Sequence, residues 1–398
     1  MVLRRPWMFG DSTEYLQLAT NLVGGHGYLS ASPEGLEPSA LRPVGYPLFL
    51  AALFFIHLPI WGVVACQMGL YLGSLFVASR YLIENAQERT FFLAAATLYV
   101  FPFVYSVAIL SECLTVPMVV LAILSIRRRS PVLAGIVSGS ACLARGDMAF
   151  LILFTVVAIW WRAGWRKAVL SLSVSILVLV PYSLWNFTTF GEASPLPLAT
   201  VSGQSLFLAT WESKLQLSDL KLMVGGAVTP AARASGFATQ VAQDDALASK
   251  MAPAGPYHSR QIQIVAPHIY MEAALSRIAS DPIGFVAHDV RSLWRLFNTG
   301  EFDNIPRLIQ WALQAISSAV WILSIAGFLI ALIERKNDVL ILSAFLVVTL
   351  LVPHIPLHTE ARYTAASRIP MLMAVAMVVA RIWNGISRGG VARAGARS

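Results

Sequence analysis

Residues 310–333 read "QWALQAISSAVWILSIAGFLIALI". Twenty-four residues pass without a charge, and the charged triplet "ERK" follows at once. As a helix this stretch would be about 36 Å long, enough to cross a hydrocarbon core of about 30 Å. It is the clearest of a series. The 398-residue chain is 57% hydrophobic and only 13% charged, with a mean hydropathy of +0.67. Soluble domains carry about 25% charged residues, so the composition defines an integral membrane protein.

Eight further runs fit the same reading: 62–83, 90–107, 112–126, 131–145, 148–161, 167–186, 338–354 and 369–384. The expected fold is therefore an all-α polytopic bundle of about nine transmembrane helices. A tenth run, 46–58 ("YPLFLAALFFIHL"), is too brief to cross and is expected to lie at the interface or dip in. Four basic clusters orient the spans by the positive-inside rule. They are Arg127–Arg128–Arg129, Arg162 with Arg166 and Lys167, Arg335 with Lys336, and the tail with Arg381, Arg388, Arg393 and Arg397. One alternating path puts all four in the cytoplasm. Residues 1–61, the turns near Ser111 and Arg145, the loop 187–309 and the loop 355–368 then face the other side. Nine spans with a cytoplasmic C-terminus place Arg4 and Arg5 outside, against the rule, so a further first helix upstream is expected.

The chain divides into an N-terminal half of the membrane domain (1–186), an extracytoplasmic loop (187–309) and C-terminal spans with a basic tail (310–398). Within the loop, 259–280 and 282–297 read as helices. Asp281 suits a cap and Pro282 the first helical position, and Ile283, Val286, Val290, Leu293, Trp294 and Phe297 recur at helical spacing. No internal repeat is visible, which weighs against a secondary transporter. Formal net charge is +8. Its arginines lie in short clusters between apolar runs, without the basic stripe and interleaved aromatics of a nucleic-acid binder. Lipid headgroups are the natural partner of such clusters. Cys66, Cys113 and Cys142 form no CxxC pair and read as small apolar residues.

Before the first span comes "GDSTEYLQLATNLVGGHGYLS" (10–30), an acidic, water-loving helix followed by a glycine turn. "GGHG" (24–27) is not a phosphate loop, since no strand leads in and no GxxxxGK[ST] follows; its glycines suit positive φ in a tight turn. "HIPLH" (354–358) spaces two histidines four apart, but Pro356 argues against the helix a zinc site of that kind needs. Neither a metal nor a cofactor is called for.

Six stretches carry a resemblance. They are 10–30, "RPVGYPLFLAAL" (42–53), "LSECLTVP" (110–117), "NFTTFGEASPLPLATVSGQSLFLATW" (186–211), "DPIGFVAHDVRSLWRLF" (281–297) and "EARYTAASRIPMLM" (360–373). In this order and sidedness the chain resembles GT-C glycosyltransferases, the glycosyltransferase family 39-like group of protein mannosyltransferases and bacterial aminoarabinose transferases. The resemblance implies sugar transfer from a polyprenyl-phosphate donor at the extracytoplasmic face, in a bacterial inner membrane. Two departures stand out. The family's first transmembrane helix is absent, and Asp11–Ser12 stands where mannosyltransferases carry Asp–Glu, which moves the likeness toward the single-aspartate bacterial relatives. Residues 1–186 would hold the catalytic half.

Such a reaction asks for a carboxylate base and cations for the departing phosphate. Asp11 is the expected base; with Glu14 it also forms a helix-capping pattern. Glu112 either caps the helix after Ser111 or joins the site. Arg145 interrupts two apolar runs, as a partner of Asp147 or as a bidentate clamp on phosphate. Arg362 and Tyr363 match the family's last outer loop, with Glu360 an alternative partner for Arg362. Arg42 is a further phosphate candidate, and Tyr15 lies one turn from Asp11. Two other classes stay open: a flippase of lipid-linked sugars, and an inactive subunit of envelope assembly.

Overall fold

The computed structural model describes residues 8, 10–32, 35–39, 42–191, 206–207, 209–210, 223–224, 227–228, 260–287, 307–335, 337–352 and 361–395. The opening sequence forms helix α1 (Gly10–Val23), closed by a turn in which Gly25 and Gly27 take positive φ, as expected of "GGHG". A hairpin follows, β1 (Leu29–Ser32) antiparallel to β2 (Gly35–Pro38). The apolar runs then become α2 (Gly45–Phe55), α3 (Ile60–Val77, continued as a π-turn to Leu82), α4 (Ala86–Leu98), α5 (Phe101–Val107), α6 (Glu112–Arg127), α7 (Pro131–Ala144), α8 (Ala149–Ala163) and α9 (Trp165–Phe190). Beyond a short pairing of β3 (Met223–Val224) with β4 (Ala227–Val228) come α10 (Arg260–Ser280), α11 (Arg307–Glu334), α12 (Asp338–Leu351), a 3₁₀ turn (Ala361–Ser367) and α13 (Arg368–Gly395).

The nine expected spans fall largely on helix, residues 353–354 of one lying outside the described residues, but not all are long enough to cross. Five helical stretches are long and apolar enough: Ile60–Leu82, Gly146–Ala163, Trp165–Phe190, Trp311–Glu334 and Thr364–Ser387. A sixth is the pair α4–α5, bent by 64°. Pro102 explains the bend, because its ring cannot share a straight helix with the carbonyl of Leu98 four residues earlier. Helices α7 and α12 have 14 residues each, about 21 Å of rise, well short of a bilayer core. The architecture is that of an all-α membrane protein.

Small residues let the helices approach. A Cβ on Gly135 would lie 2.4 Å from the carbonyl oxygen of Ser171, and one on Gly139 would lie 2.9 Å from that of Ser175. Ser138 and Ser175 join their hydroxyls across this seam at 3.1 Å. Packing of this kind is what holds helices together where lipid removes the hydrophobic drive. Gly327 lies equally close to Ala374, bringing α11 onto α13. Caps close the helix ends: Asn85 accepts from the Gln87 and Glu88 amides, and Asn337 from the Leu340 amide. The expected cap at Asp281 is present, its Oδ1 accepting from the Gly284 amide at 2.9 Å.

Among the described residues, members of the four basic clusters (Arg127, Arg162, Arg335 and Arg381) gather at one end of the bundle. Arg127 pairs with Glu84 at 2.5 Å and Arg162 with Asp338 at 3.2 Å. Arg381 grips both oxygens of Glu334, and Asn384 donates to Gln87 at 3.0 Å. These contacts tie the 81–87 turn, the ends of α6, α8 and α11, the middle of α13 and the start of α12 into one belt. Helix α1, the hairpin, the start of α6 and the α7–α8 turn lie at the opposite end.

Candidate functional site

Arg42 organises the end opposite the arginine belt. Its Nη2 donates to Asp11 Oδ1 at 2.7 Å, and its Nε to Glu14 Oε2 at 2.8 Å. One helical turn separates the two carboxylates, so a single planar guanidinium reaches both. Its carbonyl is held as well, by the hydroxyls of Tyr28 at 2.8 Å and Tyr182 at 3.1 Å. Burial disfavours the Arg42 charge, but Glu14, Tyr15 and Asp11 outweigh it and raise its pKa, so Arg42 is a fixed cation. Asp11 lies inside the first turn of α1 rather than ahead of it, and its side chain is 22% exposed. Glu14, read from sequence only as a capping partner, proves to be the second half of the clamp. Its other oxygen, Oε1, is buried and has no hydrogen-bond donor among the described residues.

A second cluster has the same composition. Arg145 Nη1 donates to Glu112 Oε1 at 2.5 Å, and its Nε to both oxygens of Asp147 at 2.8 and 2.9 Å. Glu112 is 2% exposed. Ser111 precedes the helix without a side-chain cap; Glu112 is instead an ion-pair partner reached across helices. Arg145 falls in extended backbone between α7 and a short 3₁₀ turn (Gly146–Met148), which is why two short apolar runs flank it.

Three contacts join the clusters. The Tyr15 phenol feels Arg42, Asp11 and Glu112 together; burial is the main reason its pKa is raised, with Arg42 opposing. The Arg42 guanidinium lies 5.6 Å from the centre of the Tyr15 ring. Ser12 Oγ donates to the Ile109 carbonyl at 2.8 Å, stitching α1 to the α5–α6 connection. At Gly45 an added Cβ would fall 2.7 Å from backbone atoms of Leu143 and Ala144, so the start of α2 rests directly on the residues before Arg145. Beneath lies a polar triangle in which Gln67 Nε2 donates to Tyr46 Oη at 2.7 Å and to Cys113 Sγ at 3.2 Å. The Tyr46 ring meets Tyr15 edge-on at 4.8 Å.

Asp11 and Tyr15, Arg42, Glu112 and Arg145 thus come from four separate stretches to one place. Arg362 and Tyr363 lie on the 3₁₀ turn before α13; their side chains, like Glu360 and the "HIPLH" histidines, lie outside the described residues. Among the described residues no three His, Cys, Asp or Glu side chains group as metal ligands. The six ionised groups of the two clusters carry a formal excess of two negative charges. Each arginine is therefore already matched by two carboxylates. One further arginine had no place in the sequence reading. Arg368, the first residue of α13, is fully buried and surrounded by the rings of Phe101 at 4.8 Å, Trp321 at 5.0 Å and Tyr99 at 5.7 Å. Those rings come from two distant segments, the α4–α5 break and α11, so no local signal marks the cage.

No protein-family model, curated protein or solved structure matches the chain.

Proposed function

We propose that the protein is an inverting glycosyltransferase that moves a sugar from a polyprenyl phosphate to an acceptor hydroxyl at the extracytoplasmic face of a bacterial inner membrane. The observation that carries this reading is the meeting of the Asp11–Arg42–Glu14 and Glu112–Arg145–Asp147 clusters around Tyr15, at the end opposite the arginine belt. Helix α6 runs between the two ends. Glu112 stands fifteen residues before Arg127, about 22 Å along the axis, near the far edge of a core of about 30 Å. Carboxylates at that depth are within reach of both a lipid-anchored donor and a water-borne acceptor.

Asp11 is the general base. It takes the acceptor proton as the hydroxyl oxygen attacks the anomeric carbon. The carbon–oxygen bond to phosphate breaks on the opposite face, and its electron pair leaves with the polyprenyl phosphate. Arg42 orients the base, and Tyr15 spans the gap to Glu112. Arg145, fixed by two carboxylates, shapes the wall beside the α7–α8 turn. A general base contributes about 10²–10⁴ in rate. Asp11→Asn should therefore lower release of polyprenyl phosphate from a labelled donor by at least about a hundredfold, with expression and melting temperature retained. Undiminished release would refute the assignment of the base. A second reading, a flippase of lipid-linked sugars, draws on the buried polar groups Gln67, Tyr71 and Tyr99 within the bundle. It predicts donor movement across the membrane with the sugar–phosphate bond intact.

A further inference from the structure

Not every cation at the belt end is used up in the belt. Arg127, Arg162 and Arg381 are matched by Glu84, Asp338 and Glu334. Arg128, Arg129, Arg166 and Lys167 are exposed and enter no ion pair among the described residues. Their neighbours in sequence offer no match either, since residues 113–146 and 148–191 contain no Asp or Glu.

Packing brings these two basic pairs together. Gly135 rests on Ser171 and Gly139 on Ser175. The offset is the same in both contacts, so α7 and α9 run parallel and in register. Carried back one turn, that register sets Pro131 beside Lys167, and the turns that open the two helices lie side by side. The pairs are built alike. Arg128 stands 5.6 Å from the ring centre of Tyr81, and Arg166 5.6 Å from that of Trp165, with Arg129 and Lys167 next to them in sequence. Neither α7 nor α9 has a side-chain cap or an acidic residue in its first turn, so the backbone dipoles add to the same positive field. Four like charges on two adjoining turns repel one another, and an anion with two charges relieves that repulsion.

The surroundings are those of a lipid surface. Trp160, Trp161 and Trp165 are 61, 65 and 63% exposed, at the same end as the cations. Indole rings gather where hydrocarbon meets headgroups. Just beyond the cations, Val132 and Leu133 on α7 and Val169 and Leu170 on α9 are exposed as well, an apolar surface suited to acyl chains.

We propose that the α6–α7 and α8–α9 turns together bind a lipid with two phosphates, of the diphosphatidylglycerol class. One phosphate sits on Arg128 and Arg129, the other on Arg166 and Lys167, and the acyl chains lie along the starts of α7 and α9. Basic pockets between spanning helices suit such headgroups. The site lies at the end opposite the acidic clusters and is independent of the glycosyl-transfer reading.

The test uses the full chain, delipidated in detergent, with diphosphatidylglycerol, phosphatidylglycerol or the deacylated diphosphatidylglycerol headgroup as probe. Native mass spectrometry reads binding. Diphosphatidylglycerol should bind at least about tenfold more tightly than phosphatidylglycerol, because it engages both basic pairs at once. Arg128→Gln with Arg129→Gln, and Arg166→Gln with Lys167→Gln, should each weaken that binding at least about tenfold. Arg388→Gln, in the basic tail, should leave it unchanged. All four side chains are exposed, so both double variants should fold, which thermal unfolding without lipid checks. Should one fail, Arg129→Gln with Lys167→Gln removes one cation from each turn and answers the same question. Unchanged affinity in any of these folded double variants overturns the site. An equal loss in Arg388→Gln overturns it too, by reducing the effect to surface charge in general. Phosphatidylglycerol binding as tightly sinks the two-phosphate headgroup, and the deacylated headgroup binding as tightly sinks the membrane as its source.

Discussion

Arg42 holds two carboxylates, one ring and two tyrosine hydroxyls, so its loss should be felt both in folding and in chemistry. Arg42→Met leaves Asp11 and Glu14 facing each other across one helical turn. The pair is partly exposed, and solvent screening limits the cost to about 1–2 kcal/mol. Thermal unfolding in detergent measures this. Glu14→Gln should recover part of it by removing the repulsion, which a double-mutant cycle resolves. Transfer should fall in Arg42→Lys as well, because an ammonium cannot reach both carboxylates in one plane. Some of this was readable in advance. A charge between apolar runs must find a partner, and Arg145 beside Asp147 satisfied that demand on paper. Its second partner, Glu112, lies 33 residues away, and sequence separation hides such pairs. Arg368 was harder still: it stands at the mouth of the last apolar run and resembles an ordinary boundary cation until Tyr99, Phe101 and Trp321 are placed around it.

At the scale of helices, glycines decide how closely the walls meet. Gly135→Leu would drive a side chain into the backbone of α9 at Ser171. Overpacking typically costs about 1–3 kcal/mol, so a clear drop in melting temperature is expected, and gel filtration should show increased aggregation. Gly45→Ala is subtler. One methyl at 2.7 Å from Leu143 and Ala144 would push the start of α2 away from the α7–α8 turn, separating the two ion clusters. Its effect on transfer should exceed its effect on melting, the reverse of Gly135→Leu. Element type was legible along the apolar runs, though not at the hairpin Leu29–Pro38, because runs of apolar residues in a lipid protein can satisfy their backbone only as helix. Element role was not. Run length left 131–145 and 338–354 short of the roughly 20 residues a crossing needs, but did not show that α4 and α5 would meet at a 64° bend. Nor could it foresee that Ser111 would leave capping aside while Asp281, with the same kind of signal, performs it.

For the molecule as a whole, the belt and the acidic clusters predict opposite sides of one bilayer. In a Cys66→Ser background, Thr13→Cys should react with an impermeant maleimide added to intact cells, and Ser387→Cys only after permeabilisation. Labelling of both from the same side would remove the orientation on which the outer-face reading depends. The positive-inside pattern foretold the gathering of the arginines because charge density, unlike contact geometry, is a property of short segments. The contacts of Ser12 with Ile109 and of Tyr182 with the Arg42 carbonyl have a consequence for synthesis. Helix α1 is docked by a residue made 97 positions later, and Arg42, which clamps it, by one made 140 positions later. The clamp cannot settle until α9 has been made, which leaves this segment among the last to become native.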